Sequence, residues 1–262
     1  MPDDLSSDFF VAPAERDPLR AAQETMRKAL PKRFYKDVSV APRDGAFAIL
    51  LDGRPMRTPA GNAFALPTQA VADLVAAEWR AQGETIDPAT MPVTRLVNSG
   101  LDGVARDPAG VAADIVKYSG SDLVCYRAGE PDSLVAAQSA SWDPALSFAR
   151  EKLGARFVLA EGVMFVDQPT EATSAFARAV APYEASPLKL AALHSLTTLT
   201  GSALLALMVA EGAREAEEAW AAAHVDEDHQ MRLWGADHEA LAKRAARFTD
   251  MKAAAELMIA LR

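Results

Sequence analysis

The stretch FYKDVSVAPRDGAFAILLDG, Phe34 to Gly53, decides how the chain begins to fold. Phe34, Val38 and Val40 fall at period two, which predicts a strand over 34–41. Asp44-Gly45 is a turn signal, Ala46 to Leu51 is an apolar run, and Asp52-Gly53 is a second turn signal. Beyond them Thr58-Pro59-Ala60-Gly61 reads as a loop, and Phe64 with Leu66 as one more short strand. Short strands joined by tight turns make a small antiparallel sheet.

A helix follows. Thr68 can cap its start, Gly83 marks its stop, and Val71, Leu74, Val75 and Trp79 share one face, which would cover the sheet. Asp87-Pro88 and Met91-Pro92 then break the chain. This divides it into a loose arm over 1–30 ending in a short helix, a β-rich domain with its covering helix over 31–88, and a mainly helical domain over 89–262. In the last, Pro108 opens a helix with Val111, Ile115 and Tyr118 on one face, and Leu146, Ala149 and Leu153 mark another, stopped by Gly154. Two apolar runs around Glu161-Gly162 suggest a hairpin over 157–166. Further helices are expected over 170–184, 187–211, 213–234 and 237–260. The fold class is α+β, a small antiparallel β-rich domain followed by a larger helical one.

The 262 residues are 50% hydrophobic and 24% charged, which offsets the ordering entropy of most of the length. The net charge of −9 argues against a nucleic-acid binder. One cysteine excludes a disulfide framework, a cysteine zinc site and a CxxC redox centre. The longest apolar stretch, Leu188 to Ala210, carries Lys189, His194 and Gly201 and reads as a buried helix, not a membrane span. The start, Met1-Pro2-Asp3-Asp4, has no basic region before an apolar run and is too acidic for a transit peptide, so a bacterial cytoplasm is expected. There is no phosphate loop, dinucleotide fingerprint, serine elbow or HExxH helix. Cys125 lies in an apolar setting and reads as core. No cofactor, metal or small-molecule substrate is expected.

Candidate chemistry concentrates between Trp220 and Arg244. On one continuous helix Trp220, Ala223, Glu227, Met231 and Trp234 align, so Glu227 lies on an apolar stripe. Burying that carboxylate unpaired is costly. Either Glu227 sits at the stripe's wet edge, or the stripe is exposed and is itself a contact surface, with Trp and Met at its centre and charges around it. His224 and Asp228 at i, i+4, and Asp226 and His229 at i, i+3, resemble half of a carboxylate-bridged dimetal site. The second half is missing, which favours a solvated acidic face. Trp79 reads as packing, with Glu78 and Arg80 pointing elsewhere. The basic residues of 14–57 and the acids of 211–239 either attract each other or face a partner separately.

Several segments, in order, carry a resemblance: Phe34-Tyr35-Lys36, Leu51-Asp52-Gly53-Arg54-Pro55 with Thr58-Pro59, Ala77-Glu78-Trp79 with Gln82-Gly83, and Asp87-Pro88 with Met91-Pro92-Val93-Thr94-Arg95-Leu96. They continue with Asp122-Leu123-Val124-Cys125-Tyr126-Arg127, Leu199-Thr200-Gly201-Ser202, Gln230 and Trp234-Gly235-Ala236-Asp237. Together they resemble the family of assembly chaperones of the F-type ATP synthase alpha subunit, over about Phe34 to Arg244.

The resemblance implies a non-enzymatic role: binding the free alpha subunit of the catalytic head and preventing its aggregation until beta subunits take their place. It implies a β-rich domain followed by a helical one, and a mitochondrial location for eukaryotic members. It makes Trp79 and Gly83 sensitive positions and Glu227 the key acid, with Asp226 and Asp228 as neighbours one residue away. Gln230, Met231, Trp234 and Asp237 complete the expected partner-binding set. The alternatives are a helical metal-carboxylate enzyme using His224 and Asp228, and a scaffold for a different protein partner.

Overall fold

The computed structural model describes residues 30–262 apart from 163 and 164, so the expected helix at the end of the arm lies outside the described residues. Two compact units are seen. In the smaller, 30–34 lies beside Gln82–Asp87: Arg33 N–H donates to the Glu84 carbonyl at 2.9 Å and Ile86 N–H to that of Pro31 at 2.8 Å. The larger comprises Tyr35–Ala81 and Pro88–Arg262.

The larger unit opens with the expected hairpin. Strand β1, Val38–Arg43, pairs antiparallel with β2, Ala46–Leu51, in the register Val38↔Leu51 to Arg43↔Ala46. Asp44 and Gly45 have φ of 52° and 79°, and Asp52 and Gly53 have 49° and 76°. Two consecutive left-handed residues are what a two-residue turn needs to match the strands' twist, and Asp-Gly supplies them at low strain. The strand starts four residues later than expected, and Phe34 is exposed. β3 (Arg54–Pro55) and β4 (Ala65–Leu66) share the other edge of β2.

Helix α1, Gln69–Arg80, packs on this sheet through Val71, Ala72, Val75 and Ala76. Thr68 caps it, its hydroxyl accepting from Val71 N–H at 3.1 Å and donating to the Ala260 carbonyl at 2.8 Å. The stop differs from expectation. The helix ends at Arg80, with Ala81 as a right-handed cap, and Gly83 lies beyond it at an ordinary φ.

The break expected at Met91-Pro92 is instead the start of α2, Pro92–Asp102. Its cap comes from another helix: the Glu78 carboxylate accepts from Val93 N–H and Thr94 N–H, each at 2.7 Å, and from the Thr94 hydroxyl at 2.6 Å. A carboxylate at a helix N-terminus satisfies orphan donors and faces the positive end of the dipole. Burial nevertheless pushes the Glu78 carboxyl above its ordinary pKa, against those hydrogen bonds. Glu78→Ala is therefore expected to cost about 2 kcal/mol, near the range for losing a cap or leaving buried donors unpaired. Chemical denaturation checks this, and an unchanged midpoint would show the cap to be dispensable.

Helices α3 (Pro108–Ser119), α4 (Asp132–Phe148), α5 (Thr170–Val180), α6 (Pro187–Thr200), α7 (Ala203–Ala210), α8 (Ala216–Ala223), α9 (Val225–Trp234) and α10 (His238–Ala260) build the rest. α6 is the hub, packing on α2, α3, α7 and α10. Every residue of α7 is buried. Instead of the hairpin expected over 157–166, β6 (Ala160–Glu161) pairs in parallel with β5 (Tyr126–Arg127).

The single helix expected over 187–211 is two. Gly201, at φ 68°, ends α6 in the left-handed conformation, and Ser202 caps α7, its hydroxyl accepting from Leu205 N–H at 3.0 Å. The fully buried Asp122 completes the corner. Its carboxylate accepts from Leu204 N–H at 2.9 Å and Val124 N–H at 3.2 Å, and Leu123 N–H donates to the Gly201 carbonyl. Burial raises the Asp122 pKa to about 6. Burial also pushes Cys125 up to about 12, so the thiol is inert core.

Candidate functional site

The helix expected over 213–234 is also broken. At His224, with φ −120° and ψ 22°, α8 ends and α9 begins. The break takes Trp220 off the stripe. It is only 6% exposed, between the His224 ring at 4.0 Å and Phe248 at 5.5 Å, and belongs to the core. Downstream of the break the stripe survives and is exposed. Trp234 is 79% exposed and Leu233 is exposed beside it.

After Trp234 the chain turns through Gly235, at φ 89°, and Asp237 caps α10 by accepting from Glu239 N–H at 2.8 Å. α9 and α10 enclose a cleft of about 450 Å³. Glu227, Gln230, Met231 and Trp234 of α9 line it, with Asp237, Leu241, Lys243, Arg244 and Arg247 from the turn and α10. α10 is half anchored: the stretch 238–247 is almost wholly exposed, while Met251, Ala254, Leu257 and Met258 are buried.

The three adjacent acids are separated by the helix turn. Asp226 accepts from the amide nitrogen of the buried Gln138 at 2.8 Å, and the Gln138 oxygen accepts from Ala128 N–H at 2.8 Å. Asp228 binds both terminal nitrogens of Arg244. Glu227 faces the cleft, its side chain 64% exposed. Of the other expected partner-binding residues, Gln230, Met231, Trp234 and Asp237 join it there. Trp79 and Gly83 do not: Trp79 is on α1, and Gly83 is in the smaller unit.

His224 forms the cleft's floor. One ring nitrogen, Nδ1, is 2.7 Å from the Trp220 carbonyl, and Nε2 is 3.6 Å from a Glu227 oxygen. Burial holds its pKa below the ordinary histidine value, against the Trp220 carbonyl, which favours protonation, and with the nearby Arg244 charge, which disfavours it. The half-template for two metals is thus dispersed, His224 to a carbonyl, Asp226 to Gln138 and Asp228 to Arg244. Among the described residues no group of three or more His, Cys, Asp or Glu is placed to hold a metal ion.

Lys243 pairs with Glu239 at 2.7 Å, and Arg247 donates to the Leu199 carbonyl at 3.1 Å. The sequence reading missed Lys243, Arg244 and Arg247 as cleft residues. The i, i+4 spacing puts Lys243 and Arg247 on one face of α10, but only the tertiary fold sets that face opposite α9. Acids of the 211–239 segment find cations on α10: Asp228 with Arg244, Glu239 with Lys243, and Glu217 with Lys252 at 3.8 Å.

This architecture is found in solved structures. The Atu1473 protein of Agrobacterium tumefaciens superimposes with a TM-score of 0.87 at 53% identity, over 95% of this chain and 93% of that one. Atp12 of Paracoccus denitrificans matches with a TM-score of 0.82 at 39% identity, over 88% of this chain and 99% of that one. The model of the ATP12 chaperone protein family matches residues 32–150. The chain belongs to the ATP12 chaperone family. A more distant relative is the mitochondrial protein atp12 of Schizosaccharomyces pombe, 22% identical over 220 residues, 80% of this chain and 75% of that protein. The ATP12 model covers the sheet, α1 to α4 and the Glu78 cap, whereas the cleft lies outside the matched residues. No described helix is long and apolar enough to cross a membrane.

Proposed function

We propose that this chain is an ATP synthase assembly chaperone that binds the free alpha subunit of the catalytic head through the α9–α10 cleft. It holds that subunit soluble until beta subunits take its place, acts by binding and not by catalysis, and works in a bacterial cytoplasm. The observation that carries the reading is the exposed Leu233 and Trp234 beside a cleft with an ionic rim. Exposed aromatic and aliphatic side chains ringed by charge are characteristic of an interface core. Membership of the ATP12 chaperone family supports a chaperone role, and the separation of the acids supports Glu227 over Asp226 and Asp228 as the residue offered to the partner.

The direct test mixes purified chain with isolated alpha subunit and follows light scattering and complex formation. Suppression of aggregation at near-equimolar ratio is expected, and persistent aggregation with no complex would overturn the reading. Glu227→Gln should keep normal thermal stability, because its side chain is mostly in water. Losing one partner of a desolvated interface charge pair costs about 2–5 kcal/mol, so affinity should fall at least about tenfold. A large drop in melting temperature would instead make Glu227 a folding residue.

A further inference from the structure

We propose that the floor of the cleft is a notch for a guanidinium group, so that the partner anchors an arginine side chain on Glu227 and His224. This rests on the cleft being the chaperone's contact site.

The argument begins with the tautomer of His224. The Trp220 carbonyl can only accept, so Nδ1, 2.7 Å away, carries the hydrogen. His224 is only 6% exposed, and its ring packs against that of Trp220, tilted by 49°. A neutral ring leaves Nε2 with a lone pair. His224 lines the cleft, and its Nε2 is 3.6 Å from a Glu227 oxygen, beyond hydrogen-bond reach. Two acceptors therefore face the same space without a donor between them.

Protonating His224 would supply the donor, and the Trp220 carbonyl and Glu227 favour it, but burial, with Arg244 and Arg247 nearby, outweighs them. Neither arginine closes on Glu227: Arg244 is held by Asp228, and Arg247 donates to the Leu199 carbonyl. Asp237 spends its carboxylate on the start of α10, and Lys243 is paired with Glu239. In the free protein water serves both acceptors, and a docked partner that displaces that water has to supply a donor in its place. A guanidinium fits better than an ammonium. Its planar fork places parallel N–H groups toward two acceptors.

The test uses the full chain carrying 13C-labelled histidine, at constant pH. The His224 ring signal is assigned by its loss in His224→Gln. N-acetyl-arginine amide and N-acetyl-lysine amide are titrated separately. The arginine compound should shift the His224 signal saturably, at least about fivefold more tightly than the lysine compound, and the response should vanish in Glu227→Gln. Equal responses to the two compounds, or a response that survives in Glu227→Gln, would overturn the notch. If alpha subunit binds but arginine amide leaves His224 unmoved, the guanidinium assignment fails and the chaperone reading stands. If arginine amide binds as expected but alpha subunit does not, the notch stands and its partner is another protein.

Discussion

Asp122→Ala is expected to be among the most destabilising single substitutions in this chain. Asp122 is fully buried, and its carboxylate satisfies Leu204 N–H at the start of α7 and Val124 N–H in its own turn. Alanine leaves both donors unpaired in a buried corner and also removes the partner of the Ser202 hydroxyl. Each stranded donor costs about 1–3 kcal/mol, and relief from burying a charge returns part of it, so a net loss of about 2–4 kcal/mol is expected. For a domain of this size that is on the order of 5–15 °C in melting temperature.

The pH dependence is a sharper signature. The folded carboxyl has its pKa near 6, above the ordinary value of 3.8. Below about 4 both folded and unfolded forms are protonated, so the linkage stabilisation is complete. Between about 4 and 6 the folded state holds a proton that the unfolded state has released, so stability falls as pH rises. Above about 6 that contribution is gone. The stability gap between wild type and Asp122→Ala should therefore widen from pH 6 to pH 4, and the other carboxylates cancel in the difference. A gap that narrows on acidification would show the carboxylate to be stabilised as an anion.

Trp79→Arg is the second large effect, and it should act on folding. The indole lies in the last turn of α1, with its ring 5.5 Å from that of Tyr35 and tilted by 55°. The Tyr35 hydroxyl donates to the Trp79 carbonyl at 2.7 Å, so ring contact and backbone contact fix the same corner. Arginine removes the aromatic area and brings a charge into a partly buried place, at an expected cost of about 2–4 kcal/mol. Trp79→Phe separates the causes. It keeps a ring against Tyr35 and removes an indole N–H that is buried without a hydrogen-bond partner, so it should cost less than about 1.5 kcal/mol. Calorimetry on both variants decides. A fully stable Trp79→Arg protein that fails only to bind the alpha subunit would place Trp79 at the interface instead.

What the sequence disclosed follows from what each element depends on. The Asp44-Gly45 and Asp52-Gly53 turns, the Thr68 cap and the Asp237 start of α10 are decided within a few residues, and they read correctly. The corner at Gly201-Ser202 did not, because the apolar run continues through it and one capping carboxylate comes from Asp122, 82 residues earlier than Leu204. α2 was hidden for the same reason, its cap being Glu78 on another helix. His224 breaks α8 from α9 without a glycine or proline to announce it, which left Trp220 wrongly aligned with Trp234. Within the candidate site, the spacing of Glu227, Met231 and Trp234 was visible, but the opposing wall of Arg244 and Arg247 required the tertiary fold.

The uneven anchoring of α10 gives one helix two separate stabilities. Turns near His238 can unwind without uncovering Met251, Leu257 or Met258, so opening at the tip draws on none of the core's cohesion. Beyond its root the tip is tied down by polar contacts, Arg247 on the Leu199 carbonyl and Arg244 on Asp228. A client seated there would hold these exposed turns, and any ordering of them would be drawn from its contact energy. That loss favours release when a larger, preformed surface competes for the same client.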